Sequence, residues 1–242
     1  MHIYGKRAVH EAMRSTHQVG HIYLAKEMQP KDLARFKDQA AATKVPVTVI
    51  SKTQLQKYCG PVVHQGIVAE MPAYNYINKS NLLSNINDIE SPLILVLDQI
   101  QDTHNMGAII RTAELCGVTA IIIPEKTSAE INPTVAKTSA GAIFHTHIYR
   151  TNSIDQTLDL LKSHNLKFAA LMPGKKDNIY QTKLDSSLVL LVGSEGAGLR
   201  KNLLPYCDLQ ISIPQMGRLD SLNASVSTAV VLFEIMRQRE YV

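Results

Sequence analysis

The sequence predicts an α/β protein: a parallel sheet with covering helices, preceded by a smaller α/β unit. Three observations lead there. Residues 93–98, 118–123, 167–171 and 188–192 are short, near-continuous runs of apolar, β-prone residues, the pattern of strands buried on both faces. Helical patterns alternate with these runs to the end of the chain, the order that builds parallel sheets. The run at 188–192 opens into Gly193-Ser194-Glu195-Gly196-Ala197-Gly198, a glycine-rich loop at a strand end, where α/β proteins place their ligands.

In chain order, residues 1–72 read as a small unit that could fold alone. Residues 7–14 have a helical pattern, 20–24 a strand, 31–42 a helix, 45–50 a strand and 66–70 a short strand. This is the more basic end of the chain, and Lys6 and Arg7 beside a strand end are candidate phosphate contacts. Solvated helix faces still account for most of its charge. His64, just before Gln65-Gly66, reads by itself as a turn or core residue. Residues 73–92 shift toward Asn, Ser and Pro and read as a linker to a second domain, residues 93–242.

In that domain a helix starting near Asn105 sets Met106, Ile109, Ile110 and Ala113 on one side. His145 and His147 alternate on what reads as a strand. A strand at 210–213 is stopped by Pro214, and the last helix begins near Leu222, with Ser221 and Asn223 at its N-terminal end. Apolar residues recur there at Leu222, Val226, Ala229, Val230 and Phe233, so that face must be covered.

Composition excludes several classes. With 242 residues, 45% hydrophobic and 19% charged, the chain is ordinary globular material for one large or two smaller domains. It has neither a membrane-length apolar run nor the apolar core of a signal peptide, and is expected to be a soluble cytoplasmic protein. Cys59, Cys116 and Cys207 have no C-x-x-C spacing, so a disulfide framework and a structural zinc site are both unsupported. A net charge of +4 permits an RNA partner without demanding one. The glycines at 193, 196 and 198 are not spaced as a dinucleotide fingerprint, and Leu199-Arg200 stands where a phosphate-binding loop needs Lys-Ser or Lys-Thr. A glycine turn alone needs no ligand. Glu195 inside it does point to a site, because a carboxylate there has few structural uses.

LLVGSEGAGLR at 190–200, ISIPQMG at 211–217 and SLNASVSTAVVLFE at 221–234 resemble the second and third motifs of the SpoU/TrmH (SPOUT) family of RNA ribose 2′-O-methyltransferases. DQIQDTHNMGAIIRTAELCGV at 98–118 resembles the first. IYGKRAVHEAM at 3–13 and VVHQGIVAEM at 62–71 are similar to the substrate-binding domain of the ribosomal branch, so the resemblance covers essentially the whole chain. It implies a C-terminal α/β trefoil-knot domain, an N-terminal L30e-like RNA-binding domain and a homodimer formed through the knotted region. It also implies methyl transfer from S-adenosyl-L-methionine to the ribose 2′-hydroxyl of a guanosine in 23S rRNA, in the peptidyl-tRNA-binding loop. A tRNA ribose 2′-O-methyltransferase or a non-catalytic RNA-binding paralogue is the alternative.

By the same resemblance the catalytic group is Asn105, Arg111, Glu195, Ser221 and Asn223. The donor lies against Gly193, Ile213, Leu222, Leu171 and Met216, RNA contacts include Lys6, Arg7 and His64, and no metal is expected. A sulfonium donor carries its own leaving group, so the reaction needs the weakly acidic hydroxyl aligned in line and helped to lose its proton. The resemblance sets Arg111 nearest the part of a base. An arginine normally stays protonated, which leaves open whether it acts as one or grips a phosphate and stabilises the developing alkoxide.

Overall fold

The computed structural model describes residues 1–174 and 177–240, and these form two compact units. The first comprises Met1–Asn75 together with Ile131–His145. Its elements up to residue 75 are β1 (His2–Tyr4), α1 (Lys6–Arg14), β2 (His21–Ala25), α2 (Pro30–Ala42), β3 (Val47–Ile50), α3 (Lys52–Cys59) and β4 (Ile67–Glu70). The sheet order is β1-β4-β2-β3, with β4 antiparallel to both neighbours and β2 parallel to β3. Ile22 and Leu24 alternate with His21 and Tyr23 along β2 and are fully buried, as a strand with one face in the core requires. Two of these elements lack a pattern legible in the sequence. β1 is too short for one, and α3 buries only Leu55, its start set by a capping box between Ser51 and Gln54.

The second unit is Tyr76–Glu130 and Thr146–Val242. It opens with α4 (Lys79–Asn87), β5 (Leu93–Asp98), α5 (Thr103–Leu115) and β6 (Ala120–Pro124). The chain then contributes α6 (Pro133–Thr138) and a 3₁₀ turn (Ala142–Phe144) to the first unit. It returns with β7 (Ile148–Thr151), α7 (Ile154–Lys162), β8 (Lys167–Leu171), β9 (Asp177–Asn178), β10 (Leu188–Gly193), a 3₁₀ segment (Lys201–Tyr206), β11 (Leu209–Ser212) and α8 (Ala224–Glu240). The sheet is parallel throughout, in the order β7-β6-β5-β10-β8-β11-β9. All six residues of β5 and the first five of β10 are buried, which is what their unbroken apolar runs encode.

The stretch expected to be a linker carries α4 instead. Asn78 caps it through Asn81 N–H, and Leu82 and Ile86, four residues apart, pack with Ile94, Val96, Ile122, Leu158 and Phe168. Leu82 is fully buried, so Leu82→Ala is expected to cost about 2–5 kcal/mol, the usual range for emptying a core site. Urea unfolding measures it, and a loss below about 1 kcal/mol would remove α4 from the core.

Residues 131–145 are bound tightly into the first unit. Thr134 Oγ1 lies 3.3 Å from Tyr4 Oη, Lys137 Nζ donates to the Val63 carbonyl at 2.6 Å, and His145 Nε2 meets Glu11 at 2.9 Å. Gly141 has φ 91°, and a Cβ there would stand 2.7 Å from Glu11 Cβ, so both its backbone and its surroundings require glycine. The strand expected over His145 and His147 does not form: His145 ends the 3₁₀ turn, and pairing starts only at Ile148.

α8 also departs from its sequence pattern. Ala224, Thr228, Val231, Leu232 and Ile235 are buried, while Val226 and Phe233, expected on a covered face, are each 48% exposed. Apolar residues occur on every side of the helix, interspersed with polar ones, so periodicity alone does not choose its inner face. No helix among the described residues is long and apolar enough to cross a membrane.

Candidate active site at the carboxyl end of the central strand

β5 and β10 are adjacent although Leu93 pairs with Leu188, far along the chain, and the strand order changes direction between them. Parallel sheets leave a crevice at such a point, beyond the carboxyl ends of the strands. A cavity of about 770 Å³ lies there, within the size range of small-molecule sites. Its wall is apolar, with Leu171 and Val192 at the ends of β8 and β10, Ile213 after β11, and Leu199 and Leu222 from the adjoining loops. Ser194, Glu195, Gln215, Asp220 and Ser221 add polar groups.

The loop after β10 is shaped by backbone constraints. Ser194 pairs with Gly198 across the turn, and Gly198 adopts φ 67°. A Cβ on Gly193 would lie 2.1 Å from both Gly198 C and Leu199 N, so no other residue fits without moving the loop.

Three sequence-distant residues converge at Glu195. Its Oε1 accepts from Asn105 Nδ2 at 2.7 Å, from Ala224 N–H at 3.2 Å and from Asn223 Nδ2. Asn223 Nδ2 also lies 3.1 Å from Asn105 Oδ1. Both asparagines stand at helix N-termini. Asp102 caps α5 through the N–H groups of His104 and Asn105, and Asn223 Oδ1 caps α8 by accepting from Ser225 N–H at 2.9 Å and Val226 N–H at 3.3 Å. Glu195 therefore ties the glycine loop to two helix ends, whose partial positive charge favours a carboxylate. Oε1 is thus held by three donors, and these bonds fix both asparagine amides in place.

Of the residues expected at the site, Gly193, Leu171, Ile213, Leu222, Ser221 and Glu195 line the cavity, and Asn105 and Asn223 join Glu195. Met216 is fully exposed and lies outside the cavity wall. Arg111 is exposed on α5, about one and two-thirds helical turns beyond Asn105, and no described residue pairs with its guanidinium. Sequence reasoning missed the polar lining residues Ser194, Gln215 and Asp220, which sit in short loops without a pattern. Among the described residues no group of His, Cys, Asp and Glu could hold a metal ion. Burial pushes the thiols of Cys116 and Cys207 up to about 11, which leaves them protonated and inert near neutral pH.

In the first unit, Lys6 and His64 line a smaller cavity of about 400 Å³ with Lys52 and Gln65. Lys6 Nζ lies 2.5 Å from Asp32, and this bond holds the Asp32 carboxyl below its usual range. Arg7 is exposed on α1. His64 is buried, and its Nδ1 accepts from Gly66 N–H at 3.0 Å, so in the neutral ring the proton sits on Nε2. Burial, then Lys52 and Lys137, push its pKa down. The bond closes a tight turn in which Gln65 and Gly66 have φ 56° and 83°. His64 is thus the turn and core residue that its local sequence indicates.

Residues 92–233 match the SpoU rRNA Methylase family, and residues 2–77 match the RNA 2′-O ribose methyltransferase substrate-binding family. The chain is 35% identical over 239 residues to the 23S rRNA (guanosine-2′-O-)-methyltransferase RlmB of Haemophilus influenzae, covering 98% of this chain and 97% of the relative. It is 32% identical over 238 residues to a putative TrmH family tRNA/rRNA methyltransferase of Staphylococcus aureus, covering 98% and 96% of the two. The fold is similar to that of the SpoU methyltransferase AviRb from Streptomyces viridochromogenes, solved in complex with AdoMet, with a TM-score of 0.79 and 22% identity over 98% of this chain and 90% of that one. A solved RNA 2′-O ribose methyltransferase gives a TM-score of 0.77 at 26% identity, covering 98% and 88%. With both parts of the chain matched and more than half of it within the methylase match, the protein belongs to the SpoU rRNA methylase family.

Proposed function

We propose that this protein transfers the methyl group of S-adenosyl-L-methionine to the ribose 2′-hydroxyl of a guanosine in 23S rRNA. Its family makes it an S-adenosylmethionine-dependent RNA methyltransferase. Guanosine and 23S rRNA are the finer reading, supported by full-length similarity to an enzyme of that specificity. Similarity to a TrmH-type tRNA/rRNA methyltransferase keeps tRNA ribose as a second reading. A cytoplasmic location goes with either substrate.

The convergence of Asn105, Glu195 and Asn223 beside the cavity carries the proposal. The cavity fits the donor: its apolar wall suits an adenosyl group, and the loop of Gly193, Gly196 and Gly198 lets backbone groups approach closely. When bound, the donor supplies an activated methyl on a sulfonium. The chain's own residues do the rest. Leu171, Ile213 and Leu222 exclude water, Ser221 and the asparagines orient the hydroxyl, and Arg111 meets the charge that develops as its proton leaves. Lys6, Arg7 and the His64 turn contact the RNA. The trefoil knot and a homodimer belong to the same reading. The dimer gains support from Leu222, Val226 and Phe233, which stand 39%, 48% and 48% exposed as an apolar strip that a second copy would cover.

Methylation of an rRNA fragment should require the donor, and a 2′-deoxy nucleotide at the target should abolish it because the acceptor oxygen is gone. Methyl incorporation into that deoxy substrate would redirect the reading to base methylation. Equal turnover on tRNA would favour the second reading.

A further inference from the structure

Behind the cavity wall lies an ion pair that the chemistry above does not use. Asp98 ends β5 and is fully buried, a costly place for a carboxylate unless it is paired and hydrogen-bonded. Its partner comes from 102 residues further along the chain: Arg200 Nε donates to Oδ1 at 2.9 Å and to Oδ2 at 3.1 Å. Arg200 Nη2 lies 2.9 Å from Oδ1, and the Arg200 main-chain N–H donates to Oδ2 at 3.1 Å. Asp98 also stands opposite Gly193 in the register of β5 and β10. One residue therefore holds both ends of segment 193–200, the first through the sheet and the last through its carboxylate. Every residue from Gly193 to Leu199 lines the cavity, whereas Asp98 and Arg200 do not.

We propose that Asp98 and Arg200 are positioning residues for the methyl donor. The pair fixes the span and direction of the 193–199 loop, so that the loop's backbone meets the donor in one arrangement. An ion pair with one buried partner is a weak source of stability compared with apolar packing, but its directional bonds determine geometry. A loop with glycines at 193, 196 and 198 has the most conformational freedom to lose, and fixing it in advance removes that cost from binding. The inference rests on the donor occupying this cavity.

The test is calorimetric titration of the full chain with S-adenosylmethionine, alongside its melting temperature. Asp98→Asn keeps the shape and one acceptor oxygen but removes the charge. Arg200→Lys keeps the charge and loses the planar fork. Each is expected to weaken donor binding at least 10-fold, and the double variant should be no weaker than the worse single one, because both remove the same interaction. Ile122→Val, in the same sheet, lowers stability without touching the loop and should leave the dissociation constant unmoved. If Asp98→Asn does not fold, Arg200→Lys decides alone, its side chain being 35% exposed. Donor affinity within twofold of wild type in the folded variants, with only the melting temperature lowered, would overturn the proposal. Absence of binding by the wild type would instead overturn the placement of the donor.

Discussion

Replacing Arg111 by lysine or by alanine is expected to slow single-turnover methylation by about 10²–10³-fold, the usual loss when a preorganised donor aimed at a developing oxyanion is removed. Lysine keeps the positive charge. It lacks the planar guanidinium that can hold a phosphate and the attacking oxygen together, so a geometric role fails in both variants and a purely electrostatic one survives in the first. Arg111 is exposed and pairs with no described residue, so neither change should disturb the fold or the cavity wall. Donor affinity should therefore stay near wild type while the chemical step falls. Near-normal turnover by Arg111→Lys would refute the geometric role.

Gly193→Ala should damage the second unit severely. The new Cβ would stand 2.1 Å from Gly198 C, which is backbone and cannot rotate away as a side chain would. Either β10 shifts against β5 and β8, or the loop opens and carries Glu195 away from Asn105 and Asn223. Overpacking in a well-filled region costs about 1–3 kcal/mol, and a clash with backbone belongs at or above the top of that range. The variant should lose both melting temperature and donor binding. Gly196→Ala adds the same methyl where nothing lies within 4 Å, so it is the matched control and should keep its fold. Equal behaviour of the two variants would show that close approach at Gly193 is not what shapes the loop.

Legibility of the chain followed the range over which each signal acts. The central strands were plain because an unbroken apolar run such as 188–192 encodes burial on both faces within its own length. α4 was hidden because Asn and Ser dominate its composition, while the two residues that matter, Leu82 and Ile86, are only a pair at helical spacing. A cap at Asn78 was the available signal, and so was the Ser51/Gln54 box for α3. The inner face of α8 has no local signal, because its apolar residues are spread round the whole helix. At the site, Glu195 is legible by itself as a carboxylate inside a glycine turn, whereas Asn105 and Asn223 take their roles only from the family motifs, and the structure adds the bonds that join the three. The pairing of Asp98 with Arg200 has no local trace, because it depends on the sheet order that sets β5 beside β10.

The packing of residues 131–145 with the N-terminal unit means that the two parts of the chain do not come apart at a single cut. Severing the chain between residues 72 and 92 would leave α6 and its neighbours without Tyr4, Glu11 and Val63, the partners of Thr134, His145 and Lys137. A graft that exchanges the RNA-reading unit for that of a relative must therefore carry two separate stretches of sequence, the second lying inside the match to the methylase family. Recombination with one crossover would set residue 141 of one parent against residue 11 of the other, a contact in which Glu11 leaves no room for a side chain at 141. The unit whose N-terminal part matches the substrate-binding family is thus completed by a stretch that lies inside the methylase match.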